Sequence, residues 1–300
     1  DFEKFLYKMD TSKKQYLLNL HKTLIKSKIT KSISNIDSKY LESNIIDQVF
    51  HSKENLGKVN AILASSQGNL EPLITITDAD VLFKQDWQIE VEKVFNNFKY
   101  AGMVSPVPLS KHYNNYTLSN WFYGIFKGKL KFENIVNPKE MKMFEESLGL
   151  DYTIFEKVHL EKYLTIQNKQ GKAVMGCGHF VATLKREVFD LGSNAPAFHK
   201  ILSGVENDFI DIPNDDLGFL RLATLGNFAF HMGNCYEDWM QSEYDLLKAS
   251  NVTSIYKSLD KIYSINSFGF LIGKIISKLI KKNKVRNFYF RTLGMNNKNY

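Results

Sequence analysis

The chain has 300 residues, with 39 Lys and Arg against 32 Asp and Glu and a formal net charge of +7. Apolar residues make up 44% and aromatics 13%, which excludes disordered, collagen-like and coiled-coil chains. Two cysteines exclude a disulfide scaffold and fit a reducing compartment.

Taken in chain order, residues 1–28 carry apolar side chains at helical spacing, from Phe2, Phe5 and Leu6 to Leu24 and Ile25. They show neither an initiator Met nor a signal-peptide pattern. Residues 29–50 are ambiguous. Lys58 to Ser66, opened by Gly57, predicts a helix. Leu73-Ile74-Thr75-Ile76-Thr77 is β-branched and apolar and predicts a buried strand ending in Asp78-Ala79-Asp80. Asp86 is placed to cap a helix in which Trp87, Val91, Val94, Phe95 and Phe98 share a face. A strand over 102–106 follows, then helical pieces near 139–148 and 155–163. Residues 174–183 read as a strand interrupted by Gly176 and Gly178, and 185–191 as a helix. Residues 215–225 read as helical, 228–231 as a strand, and the chain from Ser254 onward as helical and basic. Strands alternating with helices predict an α/β fold with a mostly parallel sheet flanked by helices.

Three groups of residues could carry chemistry. Asp78 and Asp80 sit where ligands gather in α/β sheets, and two carboxylates there suit a hard divalent cation. Asn55-Leu56-Gly57-Lys58 joins a tight turn to a helix start, whose free N–H groups and Lys58 suit a phosphate. Asp215 and Asp216 precede Arg221 and Gly226, with His231 on the strand beyond. An acid pair at a helix start also serves as a plain cap, and a D-x-D also occurs at ordinary strand ends. Glu206 and Asp208 read as solvated loop acids, Cys177 and Cys235 as small buried residues. Trp87, Trp121 and Trp239 suit either the core or a sugar ring.

In this order the groups resemble the inverting family 2 glycosyltransferases of the GT-A fold, over residues 45–240. Residues 55–58 resemble the family's Asn-x-Gly-Lys turn, Asp78-Ala79-Asp80 its D-x-D, and Gly176-Cys177-Gly178-His179-Phe180 its acceptor-side strand. Asp215 to Gly226 resembles its acidic-pair helix. The resemblance implies a GT-A-like catalytic domain over 1–245 and a helical basic extension over 246–300. It implies transfer of a sugar, with inversion, from a nucleotide-diphosphate sugar to a glycan or lipid-linked acceptor, with Mn²⁺ or Mg²⁺. Asp78, Asp80 and His231 would hold the metal, Asn55, Lys58, Gly178 and His179 the donor or acceptor, and Asp215, or else Asp216, would be the base. The family's opening strand and its acidic residue for the nucleotide base have no counterpart in residues 1–50, so no base-binding residue is named. Two other readings stand beside it: a haloacid-dehalogenase-type phosphatase with Asp78 as nucleophile, and a non-catalytic glycan- or membrane-binding module.

The charge is unevenly spread. Residues 251–300 hold ten Lys and Arg and one acid, a net of +9, which leaves −2 for the rest. Phe268, Leu271, Ile272, Ile275 and Leu279 follow helical spacing beside Lys274, Lys278 and Lys281. Residues 266–286 therefore suit an anionic membrane surface. The expected protein is cytoplasmic, peripheral at the inner face of a membrane, with no nucleic-acid partner because no reader motif accompanies the charge.

Overall fold

The computed structural model describes residues 40–42, 46–49, 56–150, 152–192, 195–197, 204–233, 236–248 and 252–295. The helical reading of residues 1–28, Asn55 and Cys235 lie outside these.

Helix α1 (Lys58–Gln67) buries Val59, Ile62, Leu63 and Ser66. Strand β1 (Leu73–Thr77) and the short β2 (Val81–Phe83) bracket Asp78-Ala79-Asp80. Helix α2 (Trp87–Asn97) buries Trp87, Val91, Val94 and Phe95, as the spacing predicts. Its expected cap behaves otherwise: Asp86 adopts φ 62° and its side chain makes no capping bond. Strand β3 (Ala101–Ser105) is buried throughout. Helix α3 (Leu118–Phe126), strand β4 (Lys129–Asn134) and helix α4 (Pro138–Ser147) follow. Next come β5 (Lys162–Gln167), β6 (Lys172–Met175), β7 (Val181–Lys185) and the short α5 (Arg186–Asp190). A wide π-helical turn (Asn207–Asp211) runs into α6 (Ile212–Asp216). Strands β8 (Leu220–Ala223) and β9 (Ala229–His231) precede helices α7 (Asp238–Asp245), α8 (Ser267–Ile280) and α9 (Asn283–Thr292).

The sheet corrects the expected architecture. Among the described residues, seven strands lie in the order β1-β7-β3-β8-β6-β5-β4, and of their pairs β3 with β8 alone is parallel. The fold is α/β with a mostly antiparallel mixed sheet, not a mostly parallel one. Alternation of strands and helices misleads here because the connections are of two kinds. Strands β5 and β6 are joined by a turn of four residues, Asn168 to Gly171, and so short a link permits only an antiparallel pair. Strand β7 enters between β1 and β3, antiparallel to both. The hydroxyls of Thr75 and Thr183 meet at 2.8 Å across the β1–β7 pair. Strands β2 and β9 form a separate two-stranded sheet.

Three local readings also change. Residues 155–163 hold a 3₁₀ turn (Lys157–Leu160) and the start of β5. The helix expected over 215–225 stops at Asp216, and the buried Leu220–Ala223 becomes a strand beside β3. Gly218 makes the break, at φ 78°, where a Cβ would lie 2.2 Å from the Ile265 carbonyl oxygen. Residues 252–264 form no helix. Glu92 accepts from the Ile255 and Tyr256 N–H groups and the Ser254 hydroxyl, while Asn96 bonds Ile255 and Lys257. Those side chains satisfy the backbone that a helix would have satisfied internally. Ile265, Ile280, Phe290 and Met295 are buried in the same core as the sheet.

Candidate functional site

The end of β1 and the turn before β7 face each other. The Asp78 N–H donates to the Phe180 carbonyl at 2.8 Å, and the Met232 N–H donates to the Asp80 carbonyl at 2.7 Å. These bonds bring Asp78, Asp80, His179, Phe180 and His231 together, although 153 residues separate the first from the last. Phe180 lies between the halves, stacked on Phe144 at 5.0 Å and edge-on to His231 at 5.7 Å.

Lys58, in the first turn of α1, reaches across with its Nζ 2.7 Å from Asp78 Oδ1 and 3.3 Å from Glu206 Oε1. All three side chains are largely shielded, so the ion pairs are screened less than surface pairs. Burial pushes the Glu206 carboxyl up, but Lys58, a backbone N–H and nearby His179 outweigh it and hold the group below the usual range. Glu206 is thus a member of the cluster rather than a solvated loop acid.

The π-helical turn after Glu206 carries Asp211 inward to full burial. His179 Nδ1 lies 3.1 Å from Asp211 Oδ2, and Arg221 Nη2 lies 3.2 Å from Asp211 Oδ1. Arg221 is 1% exposed, and its Nη1 donates to the Asn115 carbonyl. A buried charge is stable only when paired, and here Asp211 is the partner. Behind this pair, burial and Arg221 push His112 down to about 4, and burial pushes Cys177 up to about 11. Both groups are neutral at pH 7, and His112 Nδ1 lies 3.0 Å from the Cys177 carbonyl oxygen. An imidazole whose Nδ1–H donates to a buried carboxylate keeps its Nε2 lone pair available for a proton. The His179 side chain is 28% exposed.

The second half of the cluster is Asp80 and His231, with His231 Nε2 3.4 Å from Asp80 Oδ2. His231 Nδ1 accepts from the Gly233 N–H at 3.2 Å and meets Ser147 Oγ at 3.0 Å, which fixes the ring plane. Among the described residues no group of three or more His, Cys, Asp and Glu side chains is gathered as a metal cage. With Nδ1 accepting from the Gly233 N–H, the neutral His231 ring carries its proton on Nε2 toward Asp80. Of this pair the Asp80 carboxylate alone therefore offers a lone pair of the kind Mg²⁺ or Mn²⁺ takes, and the expected role of His231 as a metal ligand does not fit.

The two residues expected as a base are elsewhere. Asp215 is 3% exposed, and its oxygens accept from the Leu118 and Ser119 N–H groups at 2.9 and 3.0 Å. Those are the first N–H groups of α3, so Asp215 caps that helix from outside it. Burial raises its pKa to about 6 against the pull of these bonds. Asp216 is exposed at the end of α6. Gly178 is buried in the turn between β6 and β7, where a Cβ would lie 2.7 Å from Leu109 Cδ1, so its place is set by packing. Trp87 and Trp121 are buried in the core, and Trp239 packs edge-on to Phe230.

Sequence reasoning missed Asp211. It lies ten residues before Arg221, and no helical or strand period links the two because the short α6, a glycine break and a strand start intervene. A fully buried acid leaves one trace in a sequence, a carboxylate among apolar neighbours. Phe209-Ile210-Asp211-Ile212 has that pattern.

Comparison with family models, with curated proteins and with solved structures finds no match to this chain.

Proposed function

We propose that this protein transfers a sugar from a nucleoside-diphosphate sugar to a hydroxyl of a glycan or lipid-linked acceptor, with inversion. The observation that carries the reading is the meeting of Lys58, Asp78, Asp80, His179 and His231 at one end of the sheet, linked by the bonds of Phe180 and Asp80. The resemblance of the same residues to the inverting family 2 glycosyltransferases supports it.

Asp80, its carboxylate oriented by His231 Nε2, is the residue that would hold a divalent cation, which when bound would neutralise the departing diphosphate. Lys58 supplies a fixed positive charge beside it, oriented by Asp78 and Glu206. The acceptor hydroxyl needs a base as it attacks the anomeric carbon. We assign that role to His179 in place of the buried Asp215. As the new C–O bond forms and the bond to the diphosphate breaks, the hydroxyl proton passes to His179 Nε2. Asp211 holds the ring by Nδ1 and stabilises the imidazolium.

The test is a thermal-shift screen of nucleoside diphosphates and their sugars, with and without Mn²⁺. Ligand that binds the native state raises the midpoint by mass action. The expected result is a metal-dependent shift with one sugar nucleotide, lost in Asp80→Asn. Absence of a shift with every nucleotide, or a shift that Asp80→Asn leaves intact, overturns the reading.

A further inference from the structure

Helix α8 is packed inside out for a helix on a water-exposed protein. Its inner face is small: Gly269, Gly273 and Ser277 lie against α3 and its approach. At Gly273 a Cβ would sit 2.0 Å from the Leu118 carbonyl oxygen, so any side chain there would push the two backbones apart. Ser277 Oγ donates to Asn114 Oδ1 at 2.8 Å, an oxygen that also accepts from Trp121 Nε1. The bulky side chains point the other way. Phe268, Leu271, Ile275 and Leu279 are 69%, 54%, 52% and 42% exposed, and they recur at i, i+3, i+7 and i+11 on the outer face. Close contact through small residues, with large apolar residues outward, is the packing of helices whose surroundings are apolar.

Beside this stripe, and exposed with it, are Lys274, Lys278 and Lys281. On a helical projection they occupy one flank of the apolar arc. The turn into α9 adds Lys282, and α9 adds Lys284 and the 73% exposed Phe288. Residues 261–295 contain no Asp or Glu. The segment is therefore apolar and cationic together, with no acid of its own. A protein partner that buried the stripe would have to carry acids at one flank only. A bilayer with anionic headgroups meets both requirements at once, since acyl chains take the stripe and headgroups take the lysines. No helix among the described residues is long and apolar enough to cross a membrane. At 14 residues, α8 suits lying in the interface.

We propose that α8, with the start of α9, docks the protein on the surface of an anionic lipid bilayer. Phe268, Leu271, Ile275 and Leu279 enter the acyl boundary and Lys274, Lys278 and Lys281 lie at headgroup level. This proposal does not depend on the sugar-transfer reading.

The experiment is co-sedimentation of the full chain with vesicles of phosphatidylcholine alone and of phosphatidylcholine with phosphatidylglycerol. The expected result is binding to the anionic vesicles only, weakened by salt. Lys278→Glu weakens it more than about fivefold, the loss that follows from removing one cation alone. Leu271→Gln with Ile275→Gln weakens it at least tenfold on the same vesicles at any salt concentration. Both sites are exposed, and an unchanged thermal midpoint establishes that the variants are folded. Equal binding to neutral vesicles, no binding to either, or binding untouched by both variants overturns the proposal. So does a concentration-dependent dimer that the glutamine pair abolishes, which would make a second copy of the chain the occupant.

Discussion

The two charged regions of this protein treat charge in opposite ways. Around β1 and β7, cations and carboxylates are drawn inward and matched: Lys58 with Asp78 and Glu206, Arg221 with Asp211. Along α8 and the start of α9, lysines stand outward beside apolar side chains, in a stretch with no acid at all. A matched, shielded cluster holds its groups in fixed orientation and is suited to chemistry. An unmatched, exposed row has long reach and weak geometry, and is suited to a surface. The chain's +7 averages over both arrangements and describes neither.

The comparison breaks hardest at Asp211. Asp211→Asn leaves Arg221 buried without its counter-charge, and a cost of about 3–5 kcal/mol is expected. Urea unfolding measures it, and a loss under about 1 kcal/mol would mean that Arg221 finds another partner. Asp80→Asn should lower sugar transfer in Mn²⁺ by about 100-fold or more while the midpoint of unfolding stays put. An equal fall in stability would make Asp80 a structural residue instead.

Asp215 sharpens the same contrast through pH. Its folded pKa, about 6, lies above the 3.8 of an aspartate in water, so the folded state binds the proton more tightly. Stability from this group is fully present below 3.8 and is lost as pH rises through about 6. Between pH 4.5 and 7.5 the stability of the wild type relative to Asp215→Asn should fall by about 2 kcal/mol. A constant difference across that range, read from urea midpoints, would remove the burial argument.

Smaller effects separate the two faces of α8. Gly273→Ala forces a Cβ against the Leu118 backbone and should cost about 1–3 kcal/mol. Leu271→Gln on the outer face should change stability by no more than about 0.5 kcal/mol. A large loss from Leu271→Gln would show that the stripe is covered by the protein itself.

Much of the candidate site was legible along the chain. Asp78 and Asp80 end an apolar β-branched run, and such a run has few uses besides a buried strand. Lys58 follows a glycine at a helix start. His231 closes a short strand. Glu206 and Asp211 were not legible as partners of Lys58 and Arg221, because burial is a property of the packed chain. Asp215 shows the converse. Its place before Arg221 suggests a base, yet its oxygens are taken by the start of α3, nearly a hundred residues away.

By itself the sequence determined the elements that local chemistry dictates: α1, α2, β1, β3 and the amphipathic residues of α8. Each has a period or a β-branched run strong enough to outweigh its context. Only the tertiary structure decided the strand order, the antiparallel sense of most pairs, the extended course of residues 252–264 and which face of α8 turns outward. Strand pairing joins residues far apart in the chain, as Leu73 with Lys185 and Ala101 with Leu220. On α8 the apolar stripe would ordinarily mark the buried side. Close backbone approach at Gly273 placed the small residues inward instead, and hydrophobic period alone carries no sign of that choice.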